Sequence, residues 1–96
     1  MKHCIISKFK PEIEKEQKAA MLPEIKTLFE GLLGIDGIHG VEVIPNCVDR
    51  ANRYDLLIRI DMEEAALPVY DESELHHKWK DQYGDLLEKK AIFDYE

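Results

Sequence analysis

YDLLIRID, residues 54–61, alternates without a break. Tyr54, Leu56, Ile58 and Ile60 point one way, and Asp55, Leu57, Arg59 and Asp61 the other. A period of two is that of a β-strand lying with one face on a core. Upstream of it the polar loop NCVDRANR, residues 46–53, marks a turn away from an earlier extended stretch, 38–46, which Gly37 and Gly40 open. That stretch holds Val41, Val43 and Ile44, and its Pro45, lacking a backbone donor, suits a strand end or a sheet edge. His39, beside two glycines, reads as a loop residue.

Further out, residues 2–9 set His3, Ile5, Ser7 and Phe9 against Cys4, Ile6 and Lys8, a strand with apolar groups on both faces. Pro11 suits the first turn of a following helix, and Glu12, Glu14 and Glu16 suit its positive end. Leu22, Ile25, Leu28, Phe29, Leu32 and Leu33 fall on one stripe of that helix, and Gly34 stops it. Pro23 removes a donor and disfavours helix at Leu22, so a kink or a break into two helices is expected there. Downstream, residues 62–70 read as a short helix interrupted or frayed at Pro68. Asp71, Ser73 and Glu74 restart a helix that runs to about Glu88, and KAIFDY, residues 90–95, closes as a strand.

The order is strand, helix, strand, strand, helix, strand. Right-handed crossovers turn it into one α+β domain over residues 1–96: a ferredoxin-like four-stranded antiparallel sheet with both helices on one face. The other face then carries Ile6, Leu57, Ala91, Phe93 and Tyr95 beside Cys4, Lys8, Asp55 and Arg59. An apolar-rich patch of that kind calls for cover, and a second copy supplies it: two sheets face to face in a dimeric α+β barrel, with Lys8, Arg59, Asp55 and Asp61 available to pair.

Composition narrows the partners. With 20 acidic against 13 basic residues the net charge is -7, which repels a phosphate backbone and excludes nucleic acid as an expected partner. No apolar run approaches the roughly 20 residues that cross a bilayer, and the start MKHCIISK reaches a charge too soon for a secretory segment. Cytoplasmic residence is expected. Cys4 and Cys47 have no metal-ligand spacing and read as packed thiols rather than a bridge.

KHCIISKFK at the start, YDLLIRID in the middle, Tyr70 followed by a histidine near a helix start, and IFDYE at the end together resemble the Dabb family of stress-responsive dimeric α/β-barrel domains. The resemblance implies a ferredoxin-like protomer that pairs sheet to sheet. The family includes plant stress proteins and the plant cyclase that makes olivetolic acid with a histidine base and a helping tyrosine. By position this resemblance assigns those catalytic roles to His76 and Tyr70, with His3 on the first strand. It implies a pocket between sheet and helices that would be walled by Ile5, Leu22, Ile25, Ile58, Trp79 and Ile92. The family's His-Pro-x-His is here Ser73-Glu74-Leu75-His76.

The stretch YDESELHHKW, residues 70–79, is split by helix geometry. Leu75, His76, Trp79 and Tyr83 share one arc, while His77 keeps company with Lys80, Asp81 and Asp85. Adjacent helical residues do not face a common point, so the two histidines are not expected to hold a metal. His76 reads either as a general base in an apolar pocket, with Tyr70 polarising a carbonyl, or as a core histidine bonded to Tyr70 or to backbone. There is no glycine-rich phosphate loop, HExxH or nucleophile elbow, and no cofactor is expected. Three readings follow: a dimer binding a small apolar molecule, a cofactor-independent cyclase or isomerase of a small carbonyl compound, or a purely structural oligomer.

Overall fold

In the computed structural model, which describes residues 1–96, the four alternating stretches become β1 (Lys2–Phe9), β2 (Ile38–Pro45), β3 (Leu56–Met62) and β4 (Leu87–Tyr95). They join in one sheet of order β2-β3-β1-β4, and every neighbouring pair is antiparallel. Helices α1 (Lys15–Glu30), α2 (Leu67–Asp71) and α3 (Glu74–Tyr83) complete a ferredoxin-like fold in which the second crossover helix comes in two pieces. No helix is long and apolar enough to cross a membrane.

Register turns alternation into rows across the sheet. Val43, Ile58, Ile5 and Ile92 stand in line; Val41, Ile60, His3 and Asp94 form the next row, and Pro45, Leu56, Ser7 and Lys90 the one beyond. Onto the two central strands pack Ile25 and Phe29 of α1, Leu32, Tyr70 of α2, and Trp79 and Tyr83 of α3, all buried. The Trp79 ring meets Phe29 edge-on at 5.2 Å and Tyr83 at 5.4 Å. Each fully buried Ile or Phe here contributes about 1.5–3 kcal/mol over its exposed state. Cover stops short of β4: Ile58 and Ile5 are buried, whereas Ile92 in the same row is 50% exposed.

Several local expectations are corrected. α1 begins at Lys15, later than Pro11 suggests, because Glu14 and Gln17 form a capping box that fixes the start. Pro23 lies inside one continuous helix. The carbonyl it leaves without a donor is that of Ala19, an exposed residue, so the loss does not strand a buried acceptor. The apolar stripe changes phase at its end, where residues 31–34 tighten into a 3-10 turn. At three residues per turn Leu32 faces in and Leu33 out. Pro68 starts α2 rather than interrupting it, its missing donor being one the first turn does not use. α3 ends at Tyr83, not near Glu88, and a 3-10 turn at 84–86 hands over directly to β4. His39 is part of β2, at an irregularity between Ile38 and Gly40.

The helix-free face carries Cys4, Ile6, Leu57, Arg59, Ala91, Phe93 and Tyr95. Phe93 is 61% and Tyr95 41% exposed. Asp55 does not join them. It precedes β3 and turns to the helix side, where its carboxylate takes Lys18 Nζ of α1 at 3.0 Å and the Phe9 N–H at 2.8 Å. Three other charges expected to pair across copies also have partners within the chain. Arg59 bonds Glu42, Lys2 lies 3.6 Å from Asp61, and Lys8 donates to the carbonyls of Ala51 and Arg53. Cys4 is a buried free thiol, but Cys47 is exposed rather than packed.

Candidate functional site

The sequence Tyr-Asp-Glu-Ser, residues 70–73, is a corner between two helices, and Ser73 fixes it. Its Oγ donates to the Tyr70 carbonyl at 2.7 Å and accepts the His76 N–H at 3.1 Å, an N-cap that satisfies one of α3's free donors. His76 therefore sits in the first turn of α3 with its ring folded back, Nδ1 lying 2.9 Å from the Asp71 carbonyl oxygen. A carbonyl only accepts, so Nδ1 carries the hydrogen and Nε2 of the neutral ring keeps a lone pair. Burial holds the His76 pKa below its ordinary value. The bond to Asp71 works against that shift, and the Lys80 and Lys90 charges add to it. At neutral pH the ring is a free base.

His3 enters from the sheet. It is buried on β1, and its Nδ1 lies 2.5 Å from Asp94 Oδ1 on β4, directly across the ladder. A carboxylate on one ring nitrogen orients an imidazole and sets its tautomer. Between the two histidines stands Tyr70. Its ring centroid is 5.4 Å from that of His3 and 4.7 Å from that of His76. The Tyr70 hydroxyl is buried without a hydrogen-bond partner. Burial, with Asp71 adding to it, pushes its pKa well above the usual phenol value, so it stays a protonated donor. His77 is exposed, with Nδ1 2.8 Å from the Ser73 carbonyl.

His3, Tyr70 and His76 thus come together, and Ile92 stands one row from His3. The other expected wall residues are placed differently. Ile5, Ile25, Ile58 and Trp79 are core. Leu22 is half-buried and lines a cleft of about 220 Å³ at the far end of the sheet, with Phe9, Ala19, Val48 and Leu56. None of the four surface clefts is lined by His3, Tyr70 or His76. No three His, Cys, Asp or Glu side chains converge to hold a metal ion. Asp94 was not foreseen as a site residue. The signal for it was alternation in KAIFDY, which sets Asp94 on the side of Ile92, but its partner depends on the β1–β4 register.

An imidazole lone pair, a phenol donor without an acceptor and a second, carboxylate-oriented imidazole form a set that can remove a proton beside a carbonyl. The hydroxyl would then hold the oxygen on which charge gathers.

The whole chain, residues 1–96, matches the family model of the Dabb, stress responsive A/B barrel domain. Among solved structures it is similar to a dimeric protein of unknown function with a ferredoxin-like fold from Bacteroides fragilis. That pair has 21% identity and a TM-score of 0.82, with 99% of this chain and 93% of the other covered. It is similar to a Dabb family protein from Mesorhizobium loti at 18% identity, TM-score 0.73, covering 99% and 93%. It is also similar to a hydroxynitrile lyase from Passiflora edulis at 10% identity, TM-score 0.72, covering 98% and 89%. No match is found among curated proteins. With its sheet order, its two-piece second helix and its full-length match to the family model, the chain belongs to the Dabb family of stress-responsive A/B barrel domains.

Proposed function

We propose that this chain is a single-domain, cytoplasmic homodimer, paired through its helix-free sheet face. In this reading it binds a small, largely apolar carbonyl compound at His3, Tyr70 and His76. One observation carries the reading: the Tyr70 hydroxyl is buried with no acceptor, flanked by two imidazoles whose Nδ1 atoms are already engaged. A buried donor left unpaired costs about 1–3 kcal/mol. A ligand carbonyl that accepts from it recovers that cost, while Ile92, half-exposed beside the His3–Asp94 pair, offers an apolar contact. Ile92 at the β4 edge is 50% exposed whereas Tyr70 is 1% exposed, so in this reading the ligand reaches the hydroxyl as the side chains around it move aside. The family membership and the dimeric structural neighbours support the pairing.

A catalytic reading is favoured by a separate observation, the free Nε2 lone pair of a histidine held neutral. In it His76 takes a proton from the carbon next to the carbonyl and Tyr70 holds the resulting enolate oxygen. The similarity to a hydroxynitrile lyase is compatible with this and supports only that the fold can host an enzyme.

Methyl hexyl ketone tests both. Binding is expected to shift NMR signals of Tyr70, His76 and Ile92, and Tyr70→Phe to weaken it about tenfold or less, the range of one neutral hydrogen bond. Exchange of the ketone's α-hydrogens for deuterium, catalysed by wild type and lost in His76→Ala, supports the enzyme. Binding without exchange leaves a binding protein, and no binding of this or related ketones leaves the structural oligomer.

A further inference from the structure

The helix-free face carries a hollow and a projection. The hollow is a cleft of about 140 Å³ walled by Ile6, Ile44, Pro45, Tyr54 and Leu57. Ile44, Leu57 and Ile6 lie side by side in one outward row, so the cleft is centred on β3. The projection is Phe93 on β4, the most exposed of the chain's large apolar side chains, with the Tyr95 ring 6.3 Å away. Phe93 stands in the neighbouring outward row, with Glu42, Arg59 and Cys4. No charged residue lines the cleft. The charges around it are engaged within the chain: Arg59 with Glu42, Lys8 with two loop carbonyls, and Lys89 with the face of Tyr54, 5.2 Å from the ring centre. Covering this part of the face therefore leaves no ion without its contact.

We propose, building on the homodimer reading above, that the occupant of this cleft is Phe93 of a second copy, which makes the helix-free face complementary to itself. A cavity of roughly 150 Å³ with Leu and Ile walls takes a benzene ring, so the size suits a phenyl group. The position suits it too. Phe93 lies two strands across from the cleft and one row along, roughly 10 Å and 7 Å at ordinary sheet spacings. A two-fold axis that exchanges projection and cleft must bisect the line between them, and so runs between the sheets at roughly 35° to the strands. Strands of a closed barrel tilt by about 35–45° to its axis. One symmetric contact thus seats both rings at once, at the slant a barrel of two such sheets requires. Any other occupant of the cleft would leave Phe93 in water, whereas a second copy covers both.

Two variants separate the parts. Phe93→Ala removes the projection and keeps the cleft. Ile44→Trp fills the cleft from edge strand β2 and keeps the projection. Both positions are exposed, so neither change disturbs the core. Each variant alone is expected to dimerise at least about thirtyfold more weakly than wild type in analytical ultracentrifugation, the scale of losing a buried aromatic anchor. An equimolar mixture, at a concentration where each variant alone is monomeric, is expected to show a heterodimer by native mass spectrometry. The Ile44→Trp copy still offers its ring and the Phe93→Ala copy its cleft, so one of the two contacts is restored. A variant that dimerises as tightly as wild type, or a mixture that stays monomeric, overturns the assignment of Phe93 to the cleft. Sheet-to-sheet pairing then stands without it as long as wild type is a dimer. A monomeric wild type removes both readings.

Discussion

His76 and His77 are neighbours in the chain with opposite surroundings, and the difference is worth a pH experiment. The folded His76 pKa lies below its ordinary 6.5, chiefly through burial. As pH falls through 6.5 the unfolded chain therefore takes up this proton before the folded one does. Its contribution to stability is whole above pH 6.5, declines as pH falls towards the lower folded value, and is constant below that. Urea unfolding of wild type and His76→Gln across this range is expected to show a steeper loss in wild type. Parallel curves would mean that His76 titrates normally. The helical arc separated the two histidines in advance, because it depends only on 100° per residue. Asp94 lay beyond such reasoning. It is an ordinary strand residue until the β1–β4 register sets it opposite His3, and no local pattern specifies that register.

At the scale of elements, the strands were legible and the helix ends were not. Alternation over 54–61 and 2–9 carries its own phase, and burial follows it residue by residue in β3 and, apart from the buried Cys4, in β1. Helix termini are decided by single hydrogen bonds and by the switch to 3-10 winding at 31–34 and 84–86, which leaves no periodic trace. Ser73 is the terminal residue on which the site depends most. Ser73→Ala is expected to cost about 1 kcal/mol by removing the cap on His76 N–H, measured as a lowered urea midpoint at unchanged slope. It would also loosen the Tyr70–His76 corner, broadening the ring signals of both. Ser73→Asn is expected to restore most of the stability, since an amide oxygen caps as well. Unchanged stability in Ser73→Ala would show that packing of Trp79 and Tyr83 alone holds α3 in place.

For the whole molecule, chain order and crossover handedness gave the architecture, because few topologies satisfy both. What they could not convey is that the helical side chains bury the inner face of β1 and β3 and leave that of β4 open, as Ile5 and Ile58 show against half-exposed Ile92. The opposite face makes the association testable. Light scattering at micromolar concentration is expected to report about twice the 11.2 kDa protomer mass. Phe93→Lys is expected to shift the protein towards monomer, since a charge on a desolvated face is costly. A wild-type monomer under those conditions would remove the dimer from the proposal.

β4 serves both faces at once: Lys90, Ile92 and Asp94 look towards the helices, and Ala91, Phe93 and Tyr95 look away. Within six consecutive positions, the two faces of the sheet are written on alternate letters. Substitutions can alter either text alone, but the loss or gain of one codon would transpose them, sending Phe93 inward and Ile92 out. The segment is thus free to drift by point changes and closed to insertions and deletions, whereas the loop at 46–53, which keeps no such parity, can lengthen.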